Sequence, residues 1–386
     1  MNFSSEKMSK IKPSGIRELF AKAQGVPGVI SLGIGAPDVH TPEKLKQALV
    51  DAVNQDYNNY DQTPGNAMLR EAISQKYKNE YQIDYDPQNE VIVTSGGCEL
   101  VYVALQAFVG EGDEVLLQDP SFLTYERQIT LAGGKGVWMP STEDFRIDIE
   151  KTKELINAKT KAIILNFPSN PTGAMMNKDE LQALVDLATD HDLLILSDEV
   201  YEYYVYDGHK HIHIASLNGA YERTITINSF SKSYCVPGWR MGFGVANKEL
   251  MAPILGYHSF VVANATTPTQ VALANFIETP EAKEFVQYVR KEFQHRRDLI
   301  VKGFNSIDGM KCVQPEGAFY CYPDISETKY PDATEFSNKI FEEAKVVFVP
   351  GTEFGPTQQK YVRASFGSVN EEQINTVIER LQNVLT

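Results

Sequence analysis

Between residues 90 and 245, short runs of valine, isoleucine and leucine alternate with longer segments whose apolar residues recur at helical spacing. That alternation constrains the fold most, because strands separated by helices lie parallel in one sheet, with the crossovers packed on its faces. Strand starts are expected near Val91, Glu114, Gly136, Lys161, Leu193, Thr224 and Met241, which makes a mostly parallel seven-stranded sheet of the α/β class. Helices are expected over Cys98–Val109 and Lys178–Asp190, the second with Asn177 as N-cap, since an asparagine oxygen there can accept from unpaired amides. Sheets of this kind bind ligands at the carboxyl ends of their strands. The chemistry-bearing residues gather at those ends: Gly96 and Gly97 after the first strand, Asn170 after the fourth, Asp198 and Tyr201 after the fifth, Lys232 after the sixth.

Beyond about residue 286 the texture changes to a long charged helix through Arg290, Arg296 and Arg297. Short strands are expected at Lys311–Val313, Ala318–Tyr322 and Val346–Val349, and a last helix over Asn370–Val384. A chain of 386 residues exceeds what one hydrophobic core usually serves, so a large domain over 46–285 and a smaller α+β domain over 286–386 are expected. Acidic residues outnumber basic ones 51 to 36, a net charge of −15, which argues against a nucleic-acid partner. No long apolar run follows Met1, so neither a secretory leader nor a membrane partner is expected. Cys98, Cys235, Cys312 and Cys321 show no C-x-x-C spacing and no paired framework; free thiols in a reducing, cytoplasmic compartment are expected.

Three signals are set aside. Gly33-Ile34-Gly35 runs into Ala-Pro-Asp and lacks the third glycine that opens a helix, so it is no dinucleotide fingerprint. His209, His211 and His213 alternate, yet no carboxylate or cysteine set stands beside them at ligand spacing, and a solvated loop or edge strand is expected rather than a metal. Glu111-Gly112-Asp113-Glu114 reads as a turn into a strand.

The segment Asn228-Ser229-Phe230-Ser231-Lys232-Ser233 places one lysine among hydroxyls, with Arg240 eight residues downstream in Pro237-Gly238-Trp239-Arg240. An amine there can form an imine while hydroxyls and a guanidinium fork grip phosphate oxygens. Upstream stand Leu194-Ile195-Leu196-Ser197-Asp198-Glu199-Val200-Tyr201 and Asn166-Phe167-Pro168-Ser169-Asn170-Pro171-Thr172-Gly173. In order and spacing these segments resemble the fold-type I pyridoxal 5'-phosphate enzymes, specifically the class I and II aminotransferases of the aspartate aminotransferase superfamily. The resemblance runs from Leu32–Asp38 to Tyr361–Phe366.

The resemblance implies that residues 1–45 pack with the smaller domain, and that Lys232 holds the cofactor as an imine and then shuttles the α-proton. Burial and nearby cations, Arg240 among them, are expected to lower its pKa toward neutrality. Asp198 pairs with the ring nitrogen and keeps it protonated, while Tyr201 and Asn170 bond the phenolic oxygen. Phosphate lies on the backbone amides of Gly97 and Cys98 at a helix N-terminus, closed in by Ser229, Ser231 and Arg240. Cys98 in that position is expected to carry an acidic, alkylation-prone thiol. An aromatic ring covers the cofactor; alignment on Pro120 points to Phe122, with Tyr125 left open. Arg363 grips the substrate α-carboxylate, Gly35 lines the same pocket with backbone, Asn170 reaches the carboxylate, and Arg17 lies near the entrance. Tyr60 resembles the tyrosine that crosses a homodimer to the partner's phosphate, which makes the active sites shared.

The activity so implied is transfer of an amino group from an L-amino acid to a 2-oxo acid such as 2-oxoglutarate. Pro237–Arg240 and Gly317-Ala318-Phe319-Tyr320 lean toward aromatic, alanine or aspartate-like donors. A pyridoxal phosphate β-lyase on the same scaffold stays open as the alternative.

Overall fold

The computed structural model describes residues 3, 5–9, 11, 15 and 23–385. Its central sheet is built from β1 (Val91–Thr94), β2 (Glu114–Gln118), β3 (Lys135–Met139), β4 (Thr160–Asn166), β5 (Leu194–Asp198), β6 (Thr224–Ser229) and β7 (Gly242–Val245). The spatial order is β1-β7-β6-β5-β4-β2-β3, and every pairing is parallel except the two made by β7. All seven strands begin within a residue of the expected positions. Most were legible because strands covered on both faces favour near-continuous apolar runs, as in Val-Ile-Val of β1, Val-Leu-Leu of β2, Ala-Ile-Ile-Leu of β4 and Leu-Ile-Leu of β5; β6 is also buried throughout, yet it alternates isoleucine with threonine and asparagine.

Successive residues of each strand feed opposite faces. Ala162 and Ile164 of β4 pack with Leu100, Ala104 and Ile129 from helices on one side, whereas Ile163 and Leu165 pack with Leu181, Leu184 and Val185 on the other. The Lys178–Asp190 helix starts where expected: Asn177 Oδ1 accepts from the amides of Asp179 and Glu180, both at 3.0 Å, and the Glu180 carboxylate accepts from the Asn177 amide at 2.7 Å. The helix after β1 spans Gly97–Phe108. The turn at residues 111–114 also forms as expected, with Gly112 at φ +89° and the Asp113 carboxylate accepting from the Gly110 amide at 2.8 Å.

A second apolar layer surrounds the C-terminal part. The Pro280–Phe304 helix contributes Ala282 and Val286 to the core behind β1 and β7, and Val289, Phe293, Ile300 and Phe304 to the C-terminal core. The boundary expected at residue 286 therefore falls inside a continuous helix. Ile30–Ser31 pairs in parallel with Val346–Val347, so the early chain joins this layer. Val349–Pro350, Val362–Ser365 and Tyr320–Cys321 form an antiparallel sheet, and the last helix covers Glu371–Leu385.

Two expected strands shrink. Lys311–Val313 makes only the isolated bridge between Lys311 and Asp324, and Ala318–Tyr322 is reduced to Tyr320–Cys321, because Ala318 turns to φ +55°, outside extended geometry. The histidine reading also needs correction. His209 is half-exposed, but the His211 and His213 side chains are 7% and 0% exposed, and both bond the buried Glu199 carboxylate, at 2.9 and 2.8 Å. A carboxylate taken out of water must be paired, and these rings pair it. Burial pushes the Glu199 carboxyl up, yet His213 and His211 outweigh it and hold it well below the usual range. Among the described residues no His, Cys, Asp or Glu group is arranged to hold a metal, and no helix is long and apolar enough to cross a membrane.

Candidate active site

Strands β4, β5 and β6 end side by side, with Asn166 opposite Asp198 and Asp198 opposite Ile227. Because β7 runs against both neighbours, β1 points the same way as β6, and the Gly96–Gly97 turn meets the other strand ends. The result is a cavity of about 290 Å³ lined by Gly35, Gly97, Cys98, Phe122, Asn170, Asp198, Tyr201, Ser229, Ser231, Lys232, Arg240 and Arg363. Tyr125 lines it too, and Gly96 stands one residue before the lining; two other residues expected at the site are not among the described residues that form it. Tyr60 is 89% exposed and lies outside its own chain's cavity, and Arg17 lies outside the described residues.

Lys232 sits in the short Phe230–Ser233 helix directly after β6. Its Nζ donates to the Gly35 carbonyl at 2.6 Å and lies 5.5 Å from the Phe319 ring centroid. Enclosure by protein pulls the amine down to about 8, and Arg363 and Arg240 act in the same direction while Asp198 opposes them. The amine thus needs little further change to be free near neutral pH.

Asp198, 8% exposed, accepts from the Tyr125 hydroxyl at 2.6 Å and from the Val200 amide at 3.2 Å. Asn166 Nδ2 donates to the Asp198 carbonyl at 2.9 Å and fixes the backbone. Burial raises the carboxyl to about 6 despite those donors, so it is poised to accept a cationic partner. The sequence offers Tyr125 only as a ring-stacking residue; its bond to Asp198, across a 73-residue separation, leaves no local trace there. Phe122 meets Tyr125 edge-on, with centroids 5.6 Å apart, and presents its half-buried ring to the cavity.

Arg363 is 4% exposed and projects from the strand Val362–Ser365. Nη1 donates to Asn170 Oδ1 at 3.0 Å, Nη2 donates to the Gly33 carbonyl at 2.7 Å, and Nε has no partner among the described residues. A buried guanidinium with an unused donor is suited to a carboxylate.

Anion-seeking groups meet elsewhere in the cavity. The first amides of the Gly97–Phe108 helix have no acceptor inside the helix, and the helix dipole favours negative charge there. Gly96, at φ +90°, packs so close to Arg240 that a Cβ would lie 2.6 Å from Nη2, and a Cβ on Gly242 would collide with the Gly97 amide. Ser231 Oγ is buried without a partner among the described residues, while Ser229 Oγ accepts from the Ser231 amide at 3.2 Å and donates to the Met241 carbonyl at 3.1 Å. An orphaned hydroxyl, helix-terminal amides and a guanidinium together fit a phosphate.

The acidity expected of the Cys98 thiol is not supported. Cys98 is exposed toward the cavity, yet surrounding protein atoms and the Asp198 charge raise its pKa, and these outweigh Arg240 and Lys232. Position at a helix N-terminus does not by itself acidify a sulfur crowded by protein.

Residues 27–381 match the family described as Aminotransferase class I and II. Over 386 aligned residues the chain is 40% identical to aromatic-amino-acid aminotransferase 2 of Thermococcus litoralis, covering 99% of this chain and 98% of that protein. It is 39% identical to an aspartate aminotransferase of Pyrococcus abyssi, again over 99% of this chain and 98% of the other. Among solved structures, the aspartate aminotransferase of Thermus thermophilus with maleate superposes with a TM-score of 0.94 at 34% identity, covering 100% of both chains. The aromatic aminotransferase of Pyrococcus horikoshii superposes with a TM-score of 0.90 at 37% identity, covering 96% of this chain and 98% of that one.

Proposed function

The chain belongs to the aminotransferase class I and II family, and on that premise we propose that its cofactor is pyridoxal 5'-phosphate, held by Lys232. The protein is a transaminase that moves an amino group from an amino acid to a 2-oxo acid. When bound, the cofactor supplies an electron sink for the negative charge left when the α-proton departs. What carries the reading is the convergence in one cavity of an amine at about 8, a buried carboxyl at about 6 and a phosphate-suited cluster of donors.

In this reading Gly97 and Cys98 amides, Ser229, Ser231 and Arg240 hold phosphate, and Asp198 faces the ring nitrogen. Tyr201 and Asn170 serve the phenolic oxygen, and Phe122 covers the ring, because Tyr125 is already tied to Asp198. Arg363 orients the substrate through its α-carboxylate, with Asn170 and the Gly35 backbone beside it. Lys232, close to its own pKa near neutrality, takes the α-proton and returns it to the neighbouring carbon. Tyr60, at 89% exposure, supports a homodimer in which each chain completes its partner's phosphate site.

The division into 1–45, 46–285 and 286–386 is proposed with its last boundary moved a little later, to between Val286 and Val289, whose side chains pack into different cores. Four free thiols support the cytoplasmic setting. The donor is of the aromatic, alanine or aspartate type and the acceptor a 2-oxo acid such as 2-oxoglutarate.

The test is a single half-reaction. Mixed with an amino acid and no acceptor, the loaded protein should release one equivalent of 2-oxo acid per site and stop. Continuous release of ammonia would instead mark elimination. Lys232→Ala should abolish both turnover and the lysine-linked cofactor absorbance.

A further inference from the structure

The turn Gly317–Tyr320 brings two aromatic rings to the site that the roles above leave unused. Gly317 bridges to Val205 and packs so tightly that a Cβ would lie 2.6 Å from Pro168 Cβ and 2.8 Å from the Tyr204 carbonyl. Ala318 adopts φ +55°, and the Tyr206 hydroxyl bonds its carbonyl. The turn is therefore held from several sides, and it directs Phe319 beneath the Lys232 amine and Tyr320 between Tyr201 and Arg363.

Tyr320 is 1% exposed and is engaged at both ends. Its hydroxyl lies 3.0 Å from the Tyr201 hydroxyl, and its ring centroid lies 4.6 Å from Arg363 Cζ. Gly35 closes over the hydroxyl, where a Cβ would come within 2.8 Å.

We propose that Tyr320 is a positioning residue that joins the two halves of the site: its ring sets the plane of Arg363 for the α-carboxylate, and its hydroxyl directs the Tyr201 proton to the cofactor. This rests on the pyridoxal phosphate reading above. Two hydroxyls at hydrogen-bond distance share one donated proton, and either oxygen can be the donor. If Tyr201 gives its own proton to the phenolic oxygen of the cofactor, Tyr320 must donate to Tyr201, and a phenol that accepts a hydrogen bond becomes a stronger donor. At Arg363 the reasoning is geometric. An aromatic face fixes a guanidinium plane without using any N–H, so the edge donors stay available for a carboxylate.

Two substitutions separate these functions. Tyr320→Phe keeps the ring and removes the hydroxyl; Tyr320→Leu removes both. The readouts are the pH midpoint of cofactor absorbance without substrate, kcat and KM for one amino donor, and the thermal midpoint of cofactor-free protein. Weaker donation from Tyr201 leaves more negative charge on the phenolic oxygen, which favours protonation beside it. In Tyr320→Phe the absorbance midpoint should rise by about half to one pH unit and kcat should fall several-fold, with KM within about twofold of wild type. In Tyr320→Leu KM should rise about tenfold in addition. A wild-type absorbance midpoint in Tyr320→Phe overturns the proposal, as does a wild-type KM in a folded Tyr320→Leu; a drop in thermal midpoint with spectrum and KM unchanged reduces Tyr320 to packing. Should the leucine variant not fold, the phenylalanine spectrum decides alone. Wild-type protein that takes up no pyridoxal phosphate sinks the cofactor reading itself, a different result from a loaded, active enzyme indifferent to Tyr320.

Discussion

Replacing Asp198 by Asn should make the cofactor-free protein more stable while it cripples the enzyme. Burial raises the carboxyl from an ordinary 3.8 to about 6, so the folded state binds the proton more tightly than the unfolded chain does. For an acid shifted upward the sign is a penalty, absent below the unfolded value and complete above the folded one. A shift of about two units corresponds to about 3 kcal/mol at pH 7 and above, and to about 1.5 kcal/mol at pH 5, where the titration is incomplete. The isosteric amide escapes that penalty and can keep both contacts, accepting from the Val200 amide and donating to the Tyr125 oxygen. With 386 residues and about 2.1 cal/mol/K of unfolding entropy per residue, about 3 kcal/mol is worth about 4 °C in thermal midpoint. The assay is thermal unfolding of wild type and variant without cofactor, at one protein concentration, from pH 5 to pH 8. The gain should widen between pH 5 and pH 6.5 and then stay level, while turnover of the loaded variant falls by at least about a hundredfold. A variant less stable at every pH, or a gain that does not vary with pH, refutes the reasoning that this carboxyl is held at the cost of stability.

Other perturbations follow from the same geometry. Tyr125→Phe removes the 2.6 Å donor to Asp198, so kcat should fall about tenfold; an unchanged kcat and cofactor affinity would exclude a supporting role. Arg363→Lys trades a fork for a point charge and should raise donor KM about a hundredfold, with cofactor uptake unchanged in a titration of the cofactor-free protein. Lys76, buried 2.8 Å from Glu202 and 3.0 Å from Glu80, is drawn down by burial but raised above 10.5 overall by those carboxylates. Its contribution is therefore present at neutral pH and lost only as pH climbs through the folded value. Lys76→Met leaves Glu202 without its cation and should cost about 3 to 5 kcal/mol in denaturant titrations at pH 7, with kcat/KM at 25 °C nearly unaltered.

The contrast between the Lys178–Asp190 helix and the Glu199 cluster shows what a sequence can reveal. Asn177 and Glu180 close a capping box within four residues, so the helix start is written locally. His211 and His213 meet Glu199 across 12 and 14 residues of irregular chain, and nothing in their spacing separates a solvated loop from a buried pair. Cys98 illustrates the same limit in electrostatics: its helix position was readable, while the crowding that governs its proton was not. Tyr320 stood in a motif noticed in the sequence, but its placement between Tyr201 and Arg363 depends on chain segments more than a hundred residues away from Tyr201.

The order of residues alone determined the α/β class, the register of apolar runs with strands, and which residues stand at strand ends, because burial on both faces and backbone capping act over a few neighbours. Only the folded chain decided which of those residues face one another and with what proton affinities. Asp198 at about 6 and Lys232 at about 8 are products of enclosure and of charges brought together from the end of β5, the short helix after β6, Arg240 ahead of β7 and Arg363 on the C-terminal strand. Such forces depend on distance in space, and distance in space is set by packing rather than by position along the chain.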